Sequence, residues 1–76
     1  MNIKVLGTGC TKCKKLLANV EAALRESQIE AILEKVEDIN KIIDYGVMMT
    51  PALVIDENVK SVGKVLSPKD IIKLIS

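Results

Sequence analysis

The sequence predicts an α/β domain of order β-α-β-α-β-β-α, a four-stranded mixed sheet with helices on both faces. Three observations predict it. A strongly amphipathic stretch lies between two short aliphatic runs near the N-terminal end. Farther on, a pair of aliphatic runs brackets a turn of Asp and Asn, which is a hairpin signal. Ser67-Pro68 then opens a final helical pattern, Ser as cap and Pro at the first helical position.

In chain order, Asn2 to Leu6 reads as a strand closed by Gly7-Thr8-Gly9, where the glycines allow a tight turn. From Thr11 to Ser27, Leu16, Leu17, Val20, Ala23 and Leu24 fall on one helical face, and Glu21 and Arg25 stand four apart in the favourable order. Ile29 to Val36 alternates well enough to be a second strand, parallel to the first through a right-handed crossover. Asp38 is expected to cap a short helix through Tyr45, with Ile39, Ile42 and Ile43 inward and Gly46 as its stop. An apolar loop, Val47-Met48-Met49-Thr50, leads to Pro51. Ala52 to Ile55 and Val59 to Val62 are the hairpin strands, with Asp56-Glu57-Asn58 as the turn, and Gly63 ends them. Ile71, Ile72, Leu74 and Ile75 give the last helix its apolar face. No linker or internal repeat divides residues 1–76, so the expectation is a single domain.

Composition narrows the function. Nearly half the residues (49%) are hydrophobic, yet Tyr45 is the sole aromatic and Trp, Phe and His are absent, so the core is aliphatic. Eleven basic against ten acidic residues leave a net charge of +1. That balance predicts neither a nucleic-acid surface nor an acidic tail. No run approaches the roughly 18 apolar residues of a membrane span, and the N-terminal residues lack a secretory pattern, so a cytoplasmic protein acting away from the membrane is expected.

In a reducing compartment, two cysteines separated by two residues point to catalysis or metal binding more than to a structural staple. Cys10 and Cys13 are the only cysteines, and they stand where the first helix begins. Backbone N–H groups at a helix start favour thiolate, and Lys12, Lys14 and Lys15 add positive charge to the same turn. These lysines taken alone would be a solvated face. Cys10 is read as the nucleophile and Cys13, within the first turn, as the thiol that resolves the mixed disulfide. Two other readings of the pair stand beside this: small buried hydrophobes, or a soft-metal site for Cu(I) or Zn(II). With no His and no third Cys, a four-ligand zinc site within one chain is not expected, and neither is a cofactor. Thr50-Pro51 could simply start a strand. Beside a cysteine pair it suggests a cis-proline, with the Thr50 backbone pairing to an extended peptide and Met48 and Met49 as a soft apolar rim. Core filling is the alternative for both methionines.

Strand, Cys-x-x-Cys, helix, Thr-Pro loop, hairpin and final helix, in that order, resemble the small prokaryotic thioredoxin/glutaredoxin-like redox-active disulfide proteins of the thioredoxin fold. The resemblance covers nearly the whole chain and is most specific at Gly7 to Cys13 and at Thr50 to Leu53. It implies a thiol–disulfide oxidoreductase with Cys10 attacking, Cys13 resolving and Pro51 as the cis-proline. It also implies that Gly63 stands where a side chain would crowd substrate. Protein disulfides would be the substrates, an upstream disulfide reductase the electron source, and cell redox homeostasis and electron transport the setting, with the chain acting as a monomer. The sequence departs from the Trp-Cys-Gly-Pro-Cys of ordinary thioredoxins and from the Cys-Pro-Tyr-Cys and paired glycines of glutaredoxins; here Gly63 is followed by Lys64. Copper-chaperone domains share a Cys-x-x-Cys loop before a helix but order their later strands differently. A redox sensor using the same pair is a further alternative.

Overall fold

Among the described residues of the computed structural model, seven elements follow one another: β1 (Asn2–Leu6), α1 (Thr11–Ser27), β2 (Ile32–Val36), α2 (Ile39–Asp44), β3 (Ala52–Ile55), β4 (Asn58–Val62) and α3 (Pro68–Ile75). The structure describes residues 1–9 and 11–75; Cys10 and Ser76 lie outside the described residues. The strands form one sheet in the order β2-β1-β3-β4, with β1 and β2 parallel and the other two pairings antiparallel.

Alternation in the two central strands builds a core on each face of this sheet. Ile3 and Val5 of β1 and Leu53 and Ile55 of β3 pack with Leu16, Val20 and Ala23 of α1 and Ile71 and Ile75 of α3. The intervening residues, Leu6, Ala52 and Val54, meet Val36, Ile42 of α2 and Val47 on the other face. Helices α1 and α3 therefore cover one side and α2 the other. A hydrogen bond from Asn19 Nδ2 to the Leu66 carbonyl (2.8 Å) ties α1 to the segment that enters α3.

Local chemistry sets the element ends. Asp38 caps α2, its carboxylate accepting from the Asn40 N–H at 2.9 Å, and Gly46 leaves the helix at φ +76°. Ser67 Oγ accepts from the Asp70 N–H at 3.3 Å at the start of α3. The hairpin turn is two residues long, because both Asp56 and Glu57 take positive φ, 48° and 68°, as a primed turn requires. Asn58 thus belongs to β4 rather than to the turn. The pairing jumps from Leu53↔Ser61 to Val54↔Val59, leaving Lys60 as the extra residue of a bulge.

Three expectations need correcting. β2 begins at Ile32, not Ile29; Ile29 and Ala31 pack against the α1 core without joining the ladder. Alternation reports which face a residue packs on, and packing starts before strand pairing does. On α2 only Ile42 is buried, while Ile39 and Ile43 are 59% and 62% exposed. Six residues make fewer than two turns, too few to bury three isoleucines. On α3, Ile71 and Ile75 are buried but Leu74 is exposed.

A polar cluster fastens α2 to the sheet. Lys4 Nζ donates to Tyr45 Oη at 2.8 Å and to Glu57 Oε1 at 2.9 Å, and Tyr45 Oη donates to Glu57 Oε2 at 3.0 Å. The bonds to Tyr45 and then Glu57 raise the Lys4 ammonium above its usual range. Those from Lys4 and then Tyr45 lower Glu57 below its ordinary value of 4.5. A depressed carboxylate contributes stability above its ordinary value, and that contribution is lost as pH falls through the folded value.

Two predictions follow from this packing. Leu53→Ala, at a fully buried site, should cost about 2–5 kcal/mol in urea unfolding. The exposed Ile43→Ala should stay within about 0.5 kcal/mol of the parent; equal costs for the two would contradict the core assignment. Between about pH 7 and about pH 3 the parent should lose more stability than Glu57→Gln. Parallel pH profiles would show that the cluster contributes nothing.

Candidate active site

Strand register gathers the candidate residues at one end of the sheet. Leu6 pairs with Val36 on one side and with Ala52 on the other, and Ala52 pairs with Val62. Each strand's neighbour along the chain therefore falls in the next row across: Gly7 after β1, Pro51 before β3 and Gly63 after β4. Backbone bonds extend that row, from Gly7 N–H to the Val36 carbonyl (2.9 Å) and from Gly63 N–H to the Pro51 carbonyl (2.8 Å).

Gly7 and Gly9 do different work. Gly9 turns the chain at φ +91°, with open space around it. Gly7 is buried in the sheet row, and the side chain of Cys13 fills the space that a β-carbon on residue 7 would need. A β-carbon on residue 7 would overlap Cys13 Sγ, stand 3.0 Å from Cys13 Cβ and lie 3.9 Å from Thr50 Cβ. Cys13 is 4% exposed, its sulfur resting against the end of β1 at Gly7. Sequence reasoning assigned Gly7 only to the turn. The signal it lacked is spatial, since nothing in the spacing shows that residue 13 folds back onto residue 7.

The Thr50–Pro51 peptide bond is cis, and Pro51 is fully buried. Gly63 has φ +71°, and a β-carbon there would lie 3.3 Å from Met49 Cε. The space a side chain would need at Gly7 is taken by Cys13, and the space at Gly63 by Met49. Met48 and Met49 are 95% and 63% exposed, which rules out core filling for both. Lys12 and Lys14 lie exposed at the start of α1, a helix with no acidic residue in its first turn. Cys10, the expected nucleophile, directly precedes α1 in sequence and lies outside the described residues.

Beside Thr8 and Thr50 an apolar groove of about 590 Å³ opens, walled by Ile39, Ile43, Val47 and Met48. The exposed isoleucines of α2 line it. Sequence reasoning placed them inward; the clue was a surplus of isoleucine on a helix too short to bury it. Among the described residues, no three His, Cys, Asp or Glu side chains come close enough to hold a metal ion.

A thioredoxin domain family model matches residues 1–76. Similar proteins include a thioredoxin of Methanothermobacter thermautotrophicus, 36% identical over 76 residues that span 100% of this chain and 99% of that protein. A thioredoxin of Methanocaldococcus jannaschii is 38% identical over 69 residues, 91% of this chain and 79% of that one.

The geometry at Gly63 generates a prediction. Gly63→Ala places a side chain in the left-handed region, which costs roughly 1–2 kcal/mol whatever room Met49 makes. Urea unfolding should show that loss, and an unchanged midpoint would mean that the β4 exit tolerates another backbone conformation.

Proposed function

This chain belongs to the thioredoxin domain family, and we propose that it is a dithiol–disulfide oxidoreductase that uses Cys10 and Cys13 to reduce protein disulfides. The observation that carries the proposal is the placement of Cys13. It is buried in the first turn of α1 with its sulfur against Gly7, at the end of the sheet where the cis Thr50–Pro51 bond enters β3.

In the proposed reaction the Cys10 thiolate attacks one sulfur of a substrate disulfide. A Cys10–substrate disulfide forms and the first substrate thiolate leaves. Cys13 gives up its proton and attacks the Cys10 sulfur, which closes Cys10–Cys13 and expels the second substrate thiolate. Two electrons have passed to the substrate, whose thiolates take up protons. An upstream disulfide reductase returns two electrons to the chain. Lys12, Lys14 and the start of α1 favour the attacking thiolate.

Division of labour follows from burial. A shielded Cys13 meets few outside disulfides but can reach a sulfur carried on Cys10. The incoming segment lies extended along Thr50, its apolar side chains in the groove of Ile39, Ile43 and Met48, and Gly63 keeps the far side low. A protein segment suits such a groove better than a small polar disulfide does. The chain acts as a monomer in the cytoplasm, where reductants keep the pair supplied.

Cys10→Ser should reduce exchange with a protein disulfide such as that of insulin to the uncatalysed background. Cys13→Ser should retain the first attack and accumulate a covalent mixed disulfide, visible by mass under non-reducing conditions. Turnover of Cys13→Ser at the parent's rate would defeat the dithiol mechanism.

A further inference from the structure

We infer that Gly7 is a positioning residue for the resolving thiol: the missing side chain at the end of β1 is the recess in which the Cys13 sulfur sits. The inference rests on the dithiol reading above and adds a residue to it.

Three observations support the assignment. Gly7 does not have the positive φ that makes Gly9, Gly46 and Gly63 glycine positions, so backbone handedness is not what requires it. Its N–H is engaged with the Val36 carbonyl at 2.9 Å, an extension of the β1–β2 pairing that any residue with an N–H could make. What a side chain would meet is specific: Cys13 Sγ first, Cys13 Cβ at 3.0 Å second, and Thr50 Cβ at an ordinary 3.9 Å third. Residue 7 therefore has room for backbone alone on the side from which Cys13 approaches.

The recess has a consequence for the reaction. Cys13 must attack along the axis of the Cys10–substrate bond, and its approach is fixed by where Sγ rests. A methyl group on residue 7 pushes that sulfur out by more than about 1 Å, since non-bonded atoms settle at roughly 3.5–4.0 Å. Displacement on that scale slows an oriented reaction by as much as about 100-fold. The first attack, by Cys10, makes no use of the recess.

The test is Gly7→Ala, reduced and mixed with one molar equivalent of 5,5′-dithiobis(2-nitrobenzoate) in a stopped-flow instrument. Attack by the first thiolate forms a protein–thionitrobenzoate disulfide and releases one thionitrobenzoate. Attack by the second forms the intramolecular disulfide and releases another. In Gly7→Ala the first release should keep the parent's rate and the second should slow by at least about 10-fold. The mixed disulfide should be detectable by mass in the interval. Parent rates for both releases would overturn the inference, and so would parallel slowing of both, which marks a general structural role. If the parent itself releases a single equivalent, the dithiol reading fails instead. Should Gly7→Ala fail to fold, Gly7→Ala/Cys13→Ala decides. Recovery of most of the urea midpoint of Cys13→Ala places the conflict at the sulfur, while an unfolded double variant overturns the assignment.

Discussion

Strand register is the constraint on which the rest of this molecule depends. Leu6 stands between Val36 and Ala52, and Ala52 between Leu6 and Val62, so the same pairs that close the sheet align Gly7, Pro51 and Gly63 beyond it. A slip of one residue at any ladder would send the core residues of that strand to the wrong face. Both faces of β1 and β3 are buried, which makes such a slip expensive on two sides at once. The site borrows its precision from that penalty. Its backbone row is fixed by packing elsewhere and needs no network of its own.

Much of this is legible in the amino-acid sequence. The helix of Thr11 to Ser27 is legible in the sequence, because 17 residues of helical period outweigh local ambiguity. The Asp38 and Ser67 caps were legible because a capping oxygen acts within three residues of itself. Ile39 and Ile43 read as core because an aliphatic residue signals that it can be buried, not that room exists, whereas Ile29 does pack against the α1 core and lacks only strand pairing. Ile39 and Ile43 instead line the groove next to Thr50.

For the site, the cysteine pair, Thr50–Pro51 and Gly63 were visible as motifs, while the role of Gly7 was not. Motifs report residues that carry chemistry. Gly7 carries none and acts by leaving volume for a sulfur six positions later in the chain. Glycine in a loop reads as flexibility, and that reading is correct for Gly9 at φ +91°. Only the three-dimensional approach of α1 to the end of β1 separates the two cases.

Gly7 and Gly63 flank Pro51 in the same row, yet their requirements differ in kind. At Gly63 the backbone itself stands at φ +71°, so any side chain meets strain that no neighbouring substitution can relieve. At Gly7 the conflict is with one side chain, and altering Cys13 would relieve most of it. The first glycine therefore maintains the sheet end whatever chemistry occurs there. The second is tied to the presence of a thiol at residue 13, and has a reason to be glycine only while that thiol must rest in the recess. A structural requirement and a chemical one thus lie on either side of a single proline, and the chemical one identifies Cys13 as the sulfur whose position the fold controls.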